Sequence, residues 1–593
     1  MEESTITLTT EQRGIVKSNA PYLVVEAFAG ASKTFTLVQY ALARPYERML
    51  YVAFNKAIQM EAQAKFPPNV QCKTTHSLAF PYTGRLYAHK TGMLRPNDVM
   101  RFYSIPVLAA TYLVSTVERF IASADRTILA DHVPPEVPVA SRDLVLKNAI
   151  ALWEEVKNVD NTQLRMPHDG YLKLFQLSNP DLSAKYQAIL FDEFQDANPC
   201  TAAIYVNQKC KKVLVGDRHQ SIYGFRHAMH AFEMIEGEPE RHSLTHSFRF
   251  GRGVATVSNH LLKCFKKEER SIIGRGVAEL THARADRTRQ YAIICRTNAK
   301  VFANAVALLN TKKVHFVGGI DTYPLGKLLD VFQIWNKTPG AITDPFFRAF
   351  EDLDELESYA HAVDDKEIMS LMSAVKDYGH NLPGLVANVR AQNCANRDEA
   401  DVLVMTVHRA KGLEFDQVVL ENDFEELLDE HGKFRDMSGD EMAQEVNMLY
   451  VGMTRAITAL EINQNMRSFL DLWKLHLAGQ PFQVGTPIPA GAPPVALKEA
   501  EEVIHAAKAG VPAPAAPDPH FIRETAIEKF IVRTARLDEQ IIAKELGVPV
   551  EEIVASAVKM ILETRLCLHY WEKNAAVMGA FQAHFKKRQN AQG

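Results

Sequence analysis

Short, uninterrupted runs of apolar residues recur along this 593-residue chain, and they constrain its fold more than any other feature. Each run ends in a polar or glycine-rich turn that leads into a helical pattern. Continuous Val, Ile and Leu over a few residues is typical of strands that are buried on both faces of a parallel sheet. The runs are Tyr22–Glu26, Met49–Phe54, Ala188–Phe191, Val213–Val215, Ala292–Cys295, Val402–Met405 and Gln417–Leu420.

The spread of these runs predicts two α/β lobes, because about 450 residues is too much chain for a single sheet of ordinary size. Between the runs the spacing is helical, as in Leu144–Lys157, and we assign these stretches as insertions within the lobes. Proline and alanine dominate a later stretch, which is typical of a semi-rigid linker. The predicted boundaries are 1–82 and 166–235 for the first lobe, 83–165 for its helical insertion, 236–330 and 401–480 for the second lobe, 331–400 for its short helical insertion, 481–520 for the linker, and 521–593 for a small all-helical C-terminal domain.

Composition indicates a folded protein and excludes several classes. Hydrophobic residues make up 47% of the chain and charged residues 23%, which is globular composition. No apolar stretch reaches the ~18 residues of a membrane span and the N-terminus lacks a secretory pattern, so we expect no membrane partner. Seven scattered cysteines without a CxxC pair favour a reducing, cytoplasmic location over disulfides or a zinc cluster. A net charge of −4 excludes a globally basic protein but allows a local basic channel.

A candidate phosphate site follows the first apolar run. Tyr22–Glu26 leads through a short loop to Lys33 and Thr34, where a helical pattern begins. In a P-loop of this arrangement, backbone N–H groups wrap the phosphates, the lysine reaches the terminal phosphates and the hydroxyl binds Mg²⁺. Ala27 and Ser32 stand where the strict pattern has glycines, so the loop alone is equally compatible with an ordinary strand–turn–helix.

An acidic pair supplies the second half of such a site. Asp192 and Glu193 directly follow Ala188–Phe191, and ligand groups in parallel sheets lie beyond the carboxyl ends of the strands. Two adjacent carboxylates can divide the work, with Asp192 holding Mg²⁺ while Glu193 orients and deprotonates the attacking water. A solvated acidic turn is the alternative, and the P-loop-like segment upstream argues against it.

Further short segments extend this pattern in a fixed order. They are residues 9–13 (TTEQR), 27–34 (AFAGASKT), 54–57 (FNKA), 74–77 (TTHS), 192–196 (DEFQD), 215–226 (VGDRHQSIYGFR), 247–249 (SFR), 405–415 (MTVHRAKGLEF) and 450–456 (YVGMTRA). In this order they resemble the motifs of the UvrD/PcrA/Rep-like superfamily 1 DNA helicases. The resemblance implies two RecA-like parallel-sheet lobes with helical insertions, which clamp ATP between them and couple its hydrolysis to DNA unwinding.

The resemblance also assigns roles at the ATP site. Gln220 would sense the γ-phosphate, Arg455 would be the arginine finger, and Gln12 would read adenine. Mg²⁺ would be held by Thr34 and Asp192. The implied catalytic residues are Lys33, Asp192, Glu193, Gln220, Arg249 and Arg455. The implied nucleotide-binding residues are Gln12, Ala29, Gly30, Ala31, Ser32, Lys33, Thr34, Phe248, Gly412 and Glu414.

For the substrate, the resemblance implies single-stranded or tailed duplex DNA and 3′-to-5′ movement, in DNA repair, recombination or replication. The implied DNA-binding residues are Phe54, Asn55, Lys56, Thr75, His76, Tyr223, Phe225, Arg226, Thr406 and His408. Base stacking on Phe54, Tyr223 and Phe225 would give a sequence-tolerant grip, with core packing as the alternative. Residues 53–80 and 166–180 are most similar to the F-box DNA helicase branch, but we find no F-box ahead of the motifs and expect no ubiquitin-ligase role.

Two features leave alternatives open. Ser32 adds a side chain where glycine lets the loop pass close to the phosphates. The sequence is therefore compatible with a working ATPase. It is also compatible with an ATP-gated DNA-binding or recombinase-displacing protein with weak or no unwinding. In the tail, Leu537–Ile561 has helix-turn-helix-like spacing, which allows duplex contact, docking of a protein partner or plain helical packing.

Overall fold

In a computed structural model of the chain, the described residues are 7–224, 231–277, 280–281, 284–363 and 365–477. The predicted linker and C-terminal domain, residues 481–593, lie outside them, as do Phe225 and Arg226. The helix-turn-helix-like pattern and the roles of these two residues therefore stay predictions.

Six parallel strands form the first sheet, in the spatial order β3-β2-β4-β5-β1-β6. Every residue of β2 and β4 is buried, because helices cover both faces, and this explains their unbroken apolar sequences. The strands are β1 Tyr22–Ala27, β2 Met49–Ala53, β3 Val70–Thr74, β4 Ala188–Phe191, β5 Lys211–Gly216 and β6 Glu240–Leu244.

The second sheet repeats this design, again with all-parallel pairing, in the order β11-β12-β10-β13-β14-β9. A short parallel pair, β7 and β8, lies outside both sheets. The strands are β7 His246–Ser247, β8 Ile273–Gly274, β9 Leu280–Thr281, β10 Tyr291–Cys295, β11 Val314–Phe316, β12 Val402–Thr406, β13 Phe415–Leu420 and β14 Ala456–Glu461.

Helices connect and cover the strands. In the first half they are α1 Thr10–Lys17, α2 Lys33–Leu42, α3 Lys56–Lys65, α4 Thr75–Ala79, α5 Pro96–Tyr103, α6 Val107–Ala122, α7 Arg142–Lys157, α8 His168–Leu177 and α9 Pro199–Val206. In the second half they are α10 Arg252–Lys266, α11 Asn298–Ala307, α12 Leu325–Trp335, α13 Leu353–Ala362, α14 Lys366–Tyr378, α15 Leu382–Ala391, α16 Val407–Ala410, α17 Asp440–Met453 and α18 Gln464–Leu477.

The two helical insertions contact each other as well as their own lobes. Helices α5 to α7 lie within the first insertion and α13 to α15 within the second. The hydroxyl groups of Thr111 in α6 and Tyr359 in α13 are 3.0 Å apart, within hydrogen-bond distance. Of the described helices, none alone is long and apolar enough to cross a membrane; α5 and α6 meet that test only as a pair, which is bent by 117°.

Each of the seven apolar runs forms a strand, so the predicted fold class is confirmed. The sequence predicts that the second lobe begins at residue 236, but the strand that follows this residue does not belong to the second sheet. Glu240–Leu244 instead pairs with Leu23–Ala27 and extends the first sheet. This strand lies at the sheet edge and only Leu244 in it is buried, so its sequence ERHSL needs no apolar run and gave no strand signal.

Candidate active site at the seam between the lobes

The predicted phosphate loop lies at the carboxyl end of β1. Between Ala27 and Lys33 the backbone turns through two left-handed residues, Gly30 at φ +72° and Ser32 at φ +57°. Gly30 has no room for a side chain, since a Cβ there would lie 2.8 Å from the Cβ of Arg249. Ser32 holds a backbone conformation that glycine adopts without strain, and α2 begins at the next residue.

Two carboxylates at the end of β4 face this loop. The Thr34 hydroxyl donates a 2.6 Å hydrogen bond to Oδ2 of Asp192, and the Tyr51 hydroxyl donates to the same oxygen over 3.0 Å. Lys33 Nζ lies 3.1 Å from Oε1 of Glu193. The structure therefore brings together the predicted phosphate and metal ligands Lys33, Thr34 and Asp192 and the predicted general base Glu193.

The donor set fits a magnesium ion. A hydroxyl and a carboxylate oxygen are hard oxygen ligands, and those of Thr34 and Asp192 already lie within hydrogen-bond distance of each other. Mg²⁺ usually keeps several waters and binds one or two protein ligands plus substrate phosphates. The described part of the chain contains no group of three or more His, Cys, Asp or Glu side chains that could hold a metal ion.

Burial and charge set the protonation states at this edge. Burial would raise the pKa of Glu193, but Lys33 and Lys411 outweigh it and lower that pKa to about 2. For Asp192, burial and then the neighbouring Glu193 charge raise the pKa. Burial lowers the pKa of Lys33, but Glu193, Asp192 and Asp217 together outweigh it, so the net shift is upward. Lys33 is therefore a cation that forms an ion pair with Glu193.

Two arginines complete the site from the other side of the seam. Arg455, just after α17, donates from Nη2 to Oε1 of Gln220 over 3.2 Å. Arg249, just before α10, donates from Nε to Glu414 over 2.7 Å and from Nη1 to the carbonyl of Thr454 over 3.0 Å. Burial and the nearby Arg249 charge lower the pKa of Arg455 to about 9. A further negative charge between these guanidinium groups would stabilise both of them.

These groups surround a cavity of about 220 Å³ that is lined by both lobes. The predicted catalytic and nucleotide-binding residues that line it are Gly30, Lys33, Thr34, Asp192, Glu193, Gln220, Arg249, Gly412 and Arg455. The predicted residues outside the lining are Gln12, Ala29, Ala31, Ser32, Phe248 and Glu414.

Some of the residues outside the lining have structural contacts of their own. The amide oxygen of Gln12 accepts from the Thr9 N–H in a capping box at the start of α1, and its Nε2 donates to Thr36 over 3.3 Å. Phe248 is 47% exposed, while its N–H donates to the carbonyl of Gly30 over 2.9 Å. Phe248 is therefore both hydrogen-bonded to the phosphate loop and accessible to solvent.

Lys411, Asp196 and Tyr450 join the two lobes, although the sequence alone assigned them no role. Lys411 Nζ lies 2.6 Å from both oxygens of Asp196 and donates to the Gln220 carbonyl over 2.6 Å. The Tyr450 hydroxyl accepts from the Ala29 N–H over 2.9 Å. Lys411 and Tyr450 lie inside segments that resemble helicase motifs, so the signal was present, but spacing along the chain does not reveal a partner in the other lobe.

An aromatic cluster adjoins the cavity. The rings of Phe54 and Tyr223 are stacked, with centroids 5.5 Å apart and planes 11° apart. Lys411 Nζ lies 4.7 Å from the Tyr223 centroid, and the His408 ring lies 6.3 Å from it. Burial, then the Arg296 charge, lower the pKa of His408 to about 4, so this imidazole is neutral at physiological pH. Lys411 thus touches both the aromatic cluster and the acidic edge of the cavity.

Beside that cluster is a hollow lined by five predicted DNA-binding residues. They are Phe54, Asn55, Thr75, His76 and Tyr223. The Asn55 side chain also caps α3, and Thr75 accepts from the Tyr205 hydroxyl over 3.1 Å. Lys56 is exposed and donates to Gln59, whereas Thr406 is buried at the end of β12, and neither lines the hollow.

Two helicase family models and two curated helicases match parts of this sequence. The UvrD/REP helicase N-terminal domain matches residues 143–236, and the UvrD-like helicase C-terminal domain matches residues 343–466. F-box DNA helicase 1 of Gallus gallus is 32% identical over 519 residues, which cover 79% of this chain and 50% of that protein. F-box DNA helicase protein 1 of Schizosaccharomyces pombe is 31% identical, covering 78% and 58%. The chain thus spans about half the length of these curated relatives.

Proposed function

Because residues 143–236 and 343–466 match the N-terminal and C-terminal domain models of UvrD-like helicases, we propose that this chain is an ATP-dependent DNA helicase that moves 3′ to 5′ along single-stranded DNA. One observation carries the proposal. Lys33 and Glu193 from the first lobe line the same cavity as Arg249 and Arg455 from the second. A triphosphate in that cavity would be held by cations from both lobes, so its cleavage would change the attraction between them.

The residues of the cavity divide the chemistry. Lys33 would leave Glu193 for the terminal phosphates, and the loss of that cation would raise the pKa of Glu193 from its depressed value. Glu193 would then orient the attacking water and accept its proton, while Arg455 would neutralise charge on the transferred phosphoryl group. Mg²⁺, held by Thr34 and Asp192, would supply charge neutralisation at the phosphates.

Binding of a DNA strand at the aromatic cluster would affect the ATP cavity. A base on Tyr223 would compete for the ring face that Lys411 now covers, and Lys411 also holds Asp196. Stacking on Phe54 and Tyr223 would contribute roughly 1–3 kcal/mol per base without regard to sequence. DNA occupancy and the charge around Glu193 would therefore depend on each other.

The test is steady-state ATP hydrolysis with and without oligo-dT, followed by unwinding of duplexes with a 3′ or a 5′ single-stranded tail. We expect DNA-stimulated turnover and unwinding of the 3′-tailed substrate only. Glu193→Gln should lower turnover by about 100-fold or more while it retains nucleotide binding. Unwinding from the 5′ tail alone would contradict the polarity, and turnover that survives in the Glu193→Gln protein would contradict the assigned chemistry.

A second candidate is an ATP-gated DNA-binding or recombinase-displacing protein that unwinds weakly or not at all. The left-handed backbone of Ser32, at a position that favours glycine, is the observation that supports it. Nucleotide-dependent DNA binding without DNA-stimulated turnover would favour a binding protein, and turnover with protein displacement but no unwinding would favour a displacing translocase.

A further inference from the structure

Tyr450 crosses the seam between the lobes. It lies in α17, is fully buried, and uses its hydroxyl both as acceptor and as donor. The Ala29 N–H donates to it over 2.9 Å, and it donates to Oδ2 of Asp217 over 3.1 Å. A single side chain of the second lobe is therefore hydrogen-bonded to the phosphate loop and to the loop after β5.

Asp217 links this hydroxyl to the predicted phosphate sensor. Gln220 Nε2 donates to the Oδ2 of Asp217 over 2.7 Å, and Gln220 Oε1 accepts from Arg455 over 3.2 Å. Tyr450 and Arg455 are five residues apart at the end of one helical segment, so α17 and the residues after it hold the 217–220 loop at two points.

A second branch leads from Asp217 to the proposed base. The Asp217 N–H donates to Oε1 of Gln195 over 2.9 Å, and Gln195 Nε2 donates to Oε2 of Glu193 over 2.6 Å. The path from Tyr450 through Asp217 and Gln195 to Glu193 contains a hydrogen bond at each step. It lies beside the cavity, whose lining includes none of Tyr450, Asp217 or Gln195.

We propose that Tyr450 is a positioning residue that ties the state of the phosphate loop to the position of the second lobe. If a bound nucleotide shifts the loop, or if the second lobe moves, a buried donor or acceptor around this hydroxyl loses its partner, which is costly. Movement of the second lobe is thereby coupled to nucleotide binding at the phosphate loop, and the coupling must act in both directions. This inference rests on the proposed use of the cavity for ATP.

The decisive variant is Tyr450→Phe, which removes one oxygen and keeps the ring. Tyr323→Phe is the matched control, because the Tyr323 hydroxyl is also buried and donates to the Val317 carbonyl over 2.9 Å entirely within the second lobe. Three quantities are measured for each full-length protein: the melting temperature, the affinity for the non-hydrolysable analogue AMP-PNP with and without oligo-dT, and kcat and KM for ATP.

For the wild type we expect oligo-dT to change AMP-PNP affinity by about fivefold or more, the usual lower range of coupling between two sites. In Tyr450→Phe the ratio of AMP-PNP affinities with and without oligo-dT should fall towards one. The DNA-stimulated kcat should fall about tenfold, while KM for ATP changes much less. Tyr323→Phe should lose a similar amount of thermal stability while it keeps both the ratio and kcat.

The outcomes separate this inference from the proposed function. If Tyr450→Phe keeps the wild-type ratio and kcat, or behaves as Tyr323→Phe does, Tyr450 has only a structural role and the inference is wrong. If the wild type shows the affinity ratio but no turnover, and Tyr450→Phe loses the ratio, the helicase proposal fails while the inference holds. If the wild type shows neither turnover nor an affinity ratio, both fail.

Discussion

Ser32 is the single residue with the greatest bearing on turnover. Its φ of +57° costs an L-residue about 1–2 kcal/mol, which glycine would avoid, but glycine also adds about 0.5–1 kcal/mol of unfolded-state entropy. We therefore expect Ser32→Gly to change the free energy of unfolding by less than about 1 kcal/mol and to keep or raise ATP turnover. Ser32→Val places a β-branched residue in this conformation and should lower nucleotide affinity by about tenfold or more.

The chain offers a matched control for this series at Ser104, which has φ +53° at the end of α5 and lies outside the cavity lining. Ser104→Val should destabilise the protein without changing nucleotide affinity, and both properties are read from thermal melts and AMP-PNP titration. Turnover that is absent in the wild type and restored by Ser32→Gly would instead show that Ser32 blocks hydrolysis.

His408 predicts a pH dependence of stability. Its pKa is about 4 in the folded protein, below the ordinary value of 6.5, so folding favours the neutral imidazole. The stabilising contribution is complete above pH 6.5 and is lost as the pH falls towards 4, with about 2 kcal/mol lost by pH 5. His408→Gln should remove this part of the slope in melts between pH 7 and 5, whereas a substitution at the exposed His431 should not. If the melting temperatures of the wild type and of His408→Gln depend equally on pH, the prediction for His408 is wrong.

Between elements, the ion pair of Lys411 and Asp196 joins the segment after β12 to the segment after β4. Both side chains are buried, and burial raises the pKa of Asp196 to about 6 even though Lys411 opposes the shift. Lys411→Met leaves a buried carboxylate and should cost several kcal/mol at pH 8 but less at pH 5, where Asp196 protonates.

A double-mutant cycle tests this pairing. Asp196→Asn leaves Lys411 with the Gln220 carbonyl, and the Lys411→Met/Asp196→Asn protein removes both charges. We expect the double variant to be about 2 kcal/mol more stable than the sum of the single effects predicts, measured by denaturant unfolding at pH 8. Additive effects would mean that the contact does not contribute to joining the lobes.

The sequence predicted the strands that are buried on both faces and missed the exposed edge strand β6. β4 appears as an apolar run because both its faces are covered, whereas the edge strand β6 carries polar residues and gave no signal. The same limit applies to the site. Motif spacing located Lys33, Glu193 and Arg455, but the partners of Lys411 and Tyr450 depend on how the two sheets face each other. Local sequence does not encode that arrangement, which follows from packing across the seam.

At the scale of the molecule, one apolar cluster unites the lobes. Phe28, Ala29 and Ile222 of the first lobe pack among the second-lobe residues of that cluster, which include Tyr450. Because the two lobes share an apolar core and a network of buried hydrogen bonds at the seam, we expect them to unfold together. The motor proposal therefore requires small shifts within this seam during the ATP cycle, rather than complete separation of the lobes.

Every predicted nucleotide-binding residue lies between Gln12 and Arg455, well inside the compact unit Met1–Pro487. We therefore expect a chain that ends at Pro487 to fold and to keep DNA-stimulated ATP turnover within about twofold of the full chain, because a domain with its own core folds independently. Turnover and thermal melting of the two chains check this. A folded but inactive truncated protein would mean that the tail contributes to the ATP cycle.

The same pair of proteins decides among the interpretations of the tail. If the predicted pattern at Leu537–Ile561 contacts duplex DNA, truncation should weaken duplex binding while oligo-dT binding stays unchanged, and the salt dependence of duplex binding should become shallower as phosphate contacts are lost. Glu551 and Glu552 in that pattern oppose such contact, so we expect duplex affinity to be unchanged and assign the tail to protein docking or helical packing. A duplex-specific loss after truncation would reverse that assignment.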